Sequence, residues 1–254
     1  MNILTLTIKK LILIGWAKIR PYGQKIKWFI VVRFPQLLAS SELMKITPID
    51  KEIVQWIKGR ANKITIIIPT FKDIKLTRKC ILTIQKDSKR PRNLQIIIVD
   101  DGSPINIQKK LLSLKRKGIE ILLKENNNGY SSAINFALSN INNKGDVVVL
   151  NNDIECFNGW LAYLQLAAYK SKDIGIVGPK LLYPNKTIQF AGGTRNTGLP
   201  MWFDHLYRFR NQNFAPANIE REILYTTGAC MYIKEETIKK VGLFDSNFIM
   251  GFED

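Results

Sequence analysis

Residues 95–103 read QIIIVDDGS, a run of β-branched residues that ends abruptly in two carboxylates, a glycine and a serine. Such a run favours a strand buried on both faces, and Asp-Gly is typical of a turn. Residues 64–70 (ITIIIPT) and 147–153 (VVVLNND) also place polar groups directly after an apolar run. Stretches with helical periodicity separate the three runs. The sequence therefore predicts an α/β domain with a mainly parallel central sheet and flanking helices.

The boundaries of these elements follow from the same pattern. The first strand, residues 64–68, is expected to stop at Pro69, which has no N–H for a neighbouring strand. Residues 178–224 are expected to be rich in loops, and residues 226–254 to form a short strand, a Lys-rich helix and a turn. We predict further strands at residues 95–99, 119–123, 147–150 and 174–177, and helices at 74–86, at 107–117 and from the end of the 125–129 loop to about Asn142.

The composition is that of a folded protein with an excess of positive charge. The chain has 254 residues, 46% of them hydrophobic, and a formal net charge of +17. The composition is therefore that of an ordinary globular protein rather than of a disordered chain. The charge suits nucleotide phosphates, anionic lipid head groups or nucleic acid, and it equally suits lysines scattered over a solvated surface. Charge alone does not choose among these interpretations.

The cysteines and the apolar segments indicate a cytoplasmic protein. Cys80, Cys156 and Cys230 are far apart, without metal-ligand spacing, and predict reduced thiols. No apolar stretch near the N-terminus reaches the roughly 18 residues that a membrane span needs. A signal peptide is not indicated either. We therefore expect a cytoplasmic location, with peripheral attachment to the inner face of the cell membrane left open.

Residues 1–60 differ from the rest of the chain. They mix Leu, Ile and Trp with Lys and Arg, and proline interrupts them at positions 21 and 35. This pattern predicts basic amphipathic helices ahead of a domain at residues 61–254. Two interpretations are open: helices that lie in the plane of an anionic membrane surface, or a helical pair packed on the domain that follows.

Polar groups at two strand ends are the candidate site. Asp100 and Asp101 could accept hydrogen bonds from a base or a ribose, or they could simply cap the next helix. Residues 151–153 (NND) could hold Mg²⁺ or Mn²⁺ together with substrate phosphates, or they could form an ordinary turn. Open α/β sheets bind their ligands at the carboxyl ends of their strands, so the two groups together favour a ligand site.

Five motifs occur in one order, and together they resemble the family 2 glycosyltransferases with the GT-A fold, particularly the rhamnosyltransferase-like members. The resemblance covers residues 64–254. The motifs lie at residues 67–71 (IIPTF), 99–103 (VDDGS), 126–130 (NNNGY) leading into Asn135, 150–153 (LNND), and 227–231 (TGACM) continuing through 241–245 (VGLFD) to 251–254 (GFED).

The resemblance implies roles for individual residues. Asp254 would be the catalytic base, with Glu253 orienting it or bonding the acceptor. Asp153 would bind the divalent metal, Mg²⁺ or Mn²⁺, although Asn151 stands where a DXD motif has its first acid. The residues implied to contact the nucleotide sugar are Pro69, Thr70, Asp100, Asp101, Asn128, Gly129, Asn152 and Gly228.

The implied activity is inverting transfer of a hexosyl or rhamnosyl group from a nucleoside-diphosphate sugar to a saccharide or lipid-linked saccharide acceptor, in the assembly of cell-surface polysaccharide. In family members a further segment normally follows this last motif, whereas this sequence ends there. We therefore expect a C-terminally incomplete domain that binds the donor but transfers the sugar poorly. The alternatives are a donor-binding but inactive fragment and a basic protein of the membrane surface. We expect no nucleic-acid partner. Residues 68–73 contain no glycine, which argues against nucleotidyltransferases and dehydrogenases.

Two further features are left open or assigned a structural role. Residues 202–210 (WFDHLYRFR) are basic and aromatic, and could bind the acceptor's sugar rings or diphosphate, form a lid, or pack on the domain as a loop. No histidine can be paired with Cys230 from its position in the sequence, so we expect Cys230 to be an inert buried thiol.

Overall fold

The computed structural model describes residues 63–91, 93–141, 145–196 and 202–247, except the side chains of Asn196 and Trp202. The predicted N-terminal helices (residues 1–60) and the predicted catalytic pair, Glu253 and Asp254, lie outside these ranges. In chain order the elements are β1 (Ile64–Thr70), α1 (Ile74–Lys86), β2 (Leu94–Asp100), α2 (Ile105–Leu112), β3 (Ile119–Leu123), α3 (Tyr130–Asn140), β4 (Asp146–Leu150), α4 (Trp160–Tyr169), β5 (Ile176–Val177), β6 (Leu181–Leu182), β7 (Ile188–Phe190), β8 (Gly193–Asn196), β9 (Trp202–His205), a 3₁₀ turn (Ala215–Asn218), β10 (Cys230–Ile233) and α5 (Glu235–Val241).

The described strands form a central sheet in the order β3-β2-β1-β4-β10-β5. Strands β1 to β4 pair in parallel, as the sequence predicts, whereas β10 runs antiparallel to both β4 and β5. It follows that β5 points the same way as β4. The carboxyl ends of β1, β2, β4 and β5 and the amino end of β10 therefore lie along one edge, which we call the carboxyl edge.

The core occupies both faces of this sheet. Ile66 and Ile68 pack on one face with the buried side of α1, and Ile67 packs on the other with Ala133 and Ile134 of α3. Side chains of successive strand residues point to opposite faces, which is why a continuous apolar run is needed here. The three-layer α/β architecture is confirmed.

Several predicted boundaries are wrong; β5, for example, begins at Ile176 rather than at 174. β1 does not stop at Pro69: it continues to Thr70, paired with β2. Thr70 accepts a hydrogen bond from Asp101 on the β2 side, so Pro69 faces the β4 side, where the pairing has already ended at Ile67. No ladder hydrogen bond is lost there. Helix α2 ends at Leu112 rather than at 117, because Arg116 and Ile119 pair to turn the chain into β3.

The region predicted to be rich in loops contains short paired strands. β6 pairs with β7, and β8 pairs with β9, both antiparallel. We call residues 178–229 the aromatic insertion. It leaves the sheet at the carboxyl end of β5 and rejoins it at the amino end of β10, so both of its connections lie at the carboxyl edge. None of the described helices is both long enough and apolar enough to span a bilayer.

Candidate active site

The carboxyl edge brings together the predicted nucleotide-sugar residues that the structure describes. Thr70 lies beside Asp100 in the β1–β2 register, and residues 151–153 follow β4 directly. Gly228 lies just before β10, whose first residue, Cys230, pairs with Leu150 at the end of β4. Sequence-distant motifs thus meet at one edge.

Asp100 is fully buried at the end of β2. Its Oδ2 accepts hydrogen bonds from the backbone N–H of Ser103 at 2.9 Å and from Nε2 of Gln108 at 3.0 Å. Asp100 thus holds the turn before α2 but does not cap that helix, which begins after Pro104 without a side-chain cap. Its Oδ1 is also buried but has no hydrogen-bond partner among the described residues. A buried carboxylate oxygen left without a donor costs free energy, which an N–H or O–H brought to it would recover.

Asp101 holds the neighbouring loop in place. Its carboxylate forms an ion pair with Lys124 and accepts the backbone N–H of Gly129 at 2.9 Å and of Asn128 at 3.3 Å. Gly129 precedes α3 with a φ of 88°, and its lack of a side chain leaves the helix start to be capped from elsewhere. Asp101 holds the two residues that lead into this helix. Its predicted contact with the nucleoside stays a prediction.

Gly102 allows the two loops to pack backbone to backbone. Its φ is 75°, and a Cβ at this position would lie 2.5 Å from the backbone of Asn126 and Asn127. Only glycine fits such an approach without moving the main chain. The 126–129 loop is therefore fixed against the end of β2.

A hydroxyl and amide cluster joins the ends of β1 and β4. Nδ2 of Asn152 donates to Thr70 Oγ1 at 3.1 Å and to Thr77 Oγ1 at 3.2 Å, and the two hydroxyls are 2.8 Å apart. Thr77 also donates to the carbonyl of Asp73. Asn152 thus positions the β4 end relative to β1, and Pro69 lies half-buried beside it.

Asp153 follows this cluster and is exposed. Within the described parts of residues 63–247, no group of three or more His, Cys, Asp or Glu side chains could hold a metal ion. A magnesium-type site usually takes one or two protein carboxylates and completes its shell with substrate phosphates and water. Asp153 fits that arrangement as a single hard oxygen ligand.

Two contacts extend the site toward the C-terminal motif. Tyr130 donates its hydroxyl to the carbonyl of Gly228, which ties α3 to the start of β10. Asn135 on the same helix donates to the Phe244 carbonyl at 2.8 Å and to Ser246 Oγ at 3.1 Å, and accepts the Phe244 N–H at 3.0 Å. The chain that runs on toward Glu253 is therefore anchored to α3.

Three residues that bond to the candidate site residues were not predicted from the sequence. They are Lys124 (to Asp101), Gln108 (to Asp100) and Thr77 (to Asn152). Lys124 could have been found, because it directly follows β3 and so belongs to the same sheet edge. Gln108 and Thr77 lie inside helices and carry no comparable signal.

The cysteines have no nucleophilic character. Cys80 and Cys230 are buried, and burial raises the pKa of both thiols, while burial raises the pKa of Cys156 to about 12. A thiol needs to ionise to act as a nucleophile. This agrees with the expectation of an inert Cys230.

Comparisons with known proteins place this fold in a family. Residues 65–242 match the model of glycosyl transferase family 2. The chain is 26% identical over 224 residues to the O-antigen biosynthesis protein RfbC of Myxococcus xanthus, covering 82% of this chain and 16% of that protein. It is 22% identical over 184 residues to N-acetylglucosaminyl-diphospho-decaprenol L-rhamnosyltransferase of Mycobacterium tuberculosis, covering 64% and 59%.

Among solved structures, the mannosyltransferase PcManGT of Pyrobaculum calidifontis, in complex with GDP-Man and Mn²⁺, matches with a TM-score of 0.53 at 13% identity, covering 93% of this chain and 58% of that one. The chain spans less than two thirds of the length of each of these relatives. The family match covers most of the chain, and the structural match agrees with the α/β sheet described above. This chain belongs to glycosyl transferase family 2 and has the GT-A fold.

Proposed function

We propose that this protein is an inverting, metal-dependent glycosyltransferase. It moves a hexosyl or rhamnosyl group from a nucleoside-diphosphate sugar to a hydroxyl of a saccharide or lipid-linked saccharide, in the assembly of cell-surface polysaccharide. Family membership supports glycosyl transfer. The O-antigen and rhamnosyltransferase relatives support the class of product.

The buried Oδ1 of Asp100 is the observation that carries the proposal. It is a charged acceptor without a donor, at the sheet edge where α/β proteins bind nucleotides. An N–H of a nucleobase would supply the missing hydrogen bond. The free energy recovered is on the order of 1 to 3 kcal/mol, which favours the bound nucleotide.

The diphosphate and the sugar would lie toward Asp153 and the 126–129 loop. Asp153 would hold Mg²⁺ or Mn²⁺, and the bound metal would neutralise charge on the leaving diphosphate. The cluster of Asn152, Thr70 and Thr77 fixes the strand end that carries Asp153. Asp101 fixes the loop that carries Asn128 and Gly129, which would close over the donor.

An inverting reaction needs one base on the acceptor side. By family resemblance, Asp254 would take the proton of the acceptor hydroxyl as that oxygen attacks the anomeric carbon, and Glu253 would orient Asp254. No second catalytic carboxylate is required, unlike in hydrolysis by a pair of acids. Asn135 anchors Phe244 and Ser246, which precede this motif in the chain.

Titration of nucleoside diphosphates in Mn²⁺ tests the donor site. In Asp100→Asn, the amide oxygen would replace Oδ2 at Ser103 and Gln108, which leaves the NH₂ group where Oδ1 was. A donor would then face the N–H of the base, and we expect the affinity to fall by about tenfold or more. Asp173→Asn is the control, because Asp173 is exposed and precedes β5 at the opposite edge. Equal affinities for Asp100→Asn and the parent would remove Asp100 from the site.

A further inference from the structure

An exposed arginine in the aromatic insertion is held rigidly without an acidic partner. Arg208 donates from Nε at 3.0 Å and from Nη2 at 2.8 Å to the hydroxyl of Tyr183. Its guanidinium lies 4.9 Å from the ring centroid of Phe209 and 6.0 Å from that of Tyr183. It forms no ion pair with any carboxylate in the described part of the chain.

The backbone around Arg208 is constrained in an unfavourable conformation. Tyr207 and Phe209, on either side of it, have φ values of 57° and 64°. A non-glycine residue in this region costs on the order of 1 to 3 kcal/mol and persists only where the surroundings enforce it. Hydrogen bonds between Ile188 and Phe209, and between Ile188 and Arg210, provide that enforcement. Such strain is concentrated at ligand-binding sites.

Two aromatic rings beside Arg208 form a stacked, partly exposed pair. Tyr183 and Phe209 stack with centroids 5.4 Å apart and planes 10° from parallel, and Phe209 is 46% exposed. Tyr207, the residue before Arg208, is held separately by Arg221, which lies 5.2 Å from its ring centroid and donates to its hydroxyl at 2.8 Å. We call Tyr183, Arg208 and Phe209 the aromatic-arginine surface.

His205 behaves differently from its neighbours in the sequence. Its ring packs edge-on against Phe190 at 5.1 Å, and its Nδ1 lies 3.0 Å from the carbonyl of Gln189. Packing therefore accounts for His205. It does not account for Arg208, which is exposed and oriented but paired with no anion of the described chain.

The aromatic-arginine surface belongs to a segment attached on the side of the candidate site. Both ends of the insertion join the carboxyl edge, and a Cβ on Gly193 would meet the ring of Tyr225 at 2.2 Å. Tyr225 lies three residues before Gly228 in the chain. The start of β8 therefore packs against the C-terminal stretch of the insertion itself, which leads to Gly228 and β10.

We propose that the aromatic-arginine surface binds the diphosphate of a diphosphate-linked saccharide acceptor, with Arg208 as its main anion ligand and the stacked rings against a sugar face. This rests on the proposed function for the identity of the acceptor. A preorganised guanidinium binds phosphate oxygens through two parallel hydrogen bonds, and little side-chain entropy is lost when the partner arrives. Aromatic faces suit the apolar face of a sugar ring and exclude water from the ion pair.

Isothermal titration of the 254-residue chain tests this proposal. The probe is N-acetylglucosaminyl diphosphate carrying a short alkyl chain, and the matched probe is the same alkyl glycoside without the diphosphate. Arg208→Ala should lower the affinity for the diphosphate probe by at least about tenfold. Tyr183→Phe keeps the ring but releases the guanidinium, and should weaken it by about threefold. Arg116→Ala, which removes the same charge before β3 at the opposite edge, should change nothing.

Nucleoside diphosphate binding is measured on the same preparations. Unchanged donor affinity in Arg208→Ala, with the acceptor probe weakened, supports the proposal and shows that the variant is folded. If Tyr183→Phe and Arg208→Ala both bind the probe as the parent does, the proposal is wrong. It is also wrong if the glycoside without diphosphate binds equally well. A selective loss of binding to anionic vesicles would instead assign the surface to a membrane.

The two proposals fail separately. A parent that binds the diphosphate probe through Arg208 but binds no nucleoside diphosphate would contradict the proposed function and leave the aromatic-arginine surface standing. If the parent binds nucleoside diphosphate with metal but the Arg208 variant keeps full affinity for the probe, the proposed function stands and the role of the aromatic-arginine surface is contradicted.

Discussion

Asp101 and Lys124 form an ion pair in which only 8% of the first side chain and 9% of the second are exposed. The same carboxylate accepts the N–H groups of Asn128 and Gly129, and the same ammonium donates to Ser132 at 2.9 Å. One buried pair therefore ties the ends of β2 and β3 to the start of α3, and it holds the loop that would cover the donor.

Breaking this pair should be costly. Asp101→Ala leaves the Lys124 ammonium buried without a counter-charge, and we expect a loss of about 3 kcal/mol in the free energy of unfolding. Glu155→Ala is the control, because it breaks the Lys79–Glu155 pair, in which both side chains are more than half exposed, and should cost less than about 1 kcal/mol. Urea unfolding measures both. Similar losses for the two variants would contradict a structural role for the buried pair.

The architecture of the domain was predictable from its apolar runs. β-Branched runs such as residues 95–99 can only be buried on both faces, and that requirement leads to a parallel sheet between helices. Helix α1 was predicted at its observed bounds, and in the structure Asp73 caps its start by accepting the N–H of Leu76 at 2.9 Å. Pro69 misled because its missing N–H interrupts a strand only if a neighbouring strand is paired at that point, and the pairing with β4 ends before it, at Ile67.

The division of labour within the site was not predictable. Asp100 and Asp101 are neighbours in the sequence and have the same side chain. Asp100 nevertheless keeps a buried oxygen without a partner among the described residues, whereas Asp101 pairs with Lys124 and bonds to the loop before α3. Only the partners that arrive from β3 and α3 distinguish them. The paired strands of the aromatic insertion were missed for a related reason: β6 has only two residues and β7 three, too few for periodicity to register.

The effect of metal on nucleoside diphosphate affinity should depend on Asp153. In Asp153→Ala, the gain in nucleoside diphosphate affinity that Mn²⁺ gives the parent should disappear, while the melting temperature stays unchanged because the side chain is exposed. Glu155→Ala removes an exposed carboxylate two residues later and should keep the metal effect. Titrations with Mn²⁺ and with chelator decide. If Asp153→Ala and the parent respond identically to chelator, Asp153 is not the metal ligand.

Stability should fall at alkaline pH through the half-buried thiol of Cys156. Burial raises the pKa of Cys156 to about 12 from the ordinary 9.0, so above pH 9 the unfolded chain releases a proton that the folded chain keeps. The contribution is fully present below pH 9 and is lost as the pH rises toward 12, at up to about 1.4 kcal/mol per pH unit. Chemical unfolding between pH 8 and about 10.5 should show a shallower decline in Cys156→Ala than in the parent. If the free energy of unfolding falls equally with pH in the parent and in Cys156→Ala, the Cys156 thiol is exposed to water in the folded chain.

The N-terminal region should direct the chain to anionic membranes if its helices lie in the interface. Flotation of a peptide of residues 1–60 with anionic and neutral vesicles compares the two open interpretations. Lys and Arg near an anionic surface are each worth about 1 kcal/mol, so the membrane interpretation predicts a strong preference that is lost in high salt. Equal flotation with both vesicle types would favour a helical pair packed on the domain.

Proton NMR of the transfer product tests the central claim most directly. The protein is incubated with Mn²⁺, a nucleoside-diphosphate sugar of known anomeric configuration and the diphosphate-linked saccharide, and the coupling constant of the new anomeric proton is read. We predict a product of inverted configuration, formed together with free nucleoside diphosphate, and absent with Asp254→Asn although that variant binds donor as the parent does. A product of retained configuration, or transfer by Asp254→Asn at the parental rate, would contradict the account.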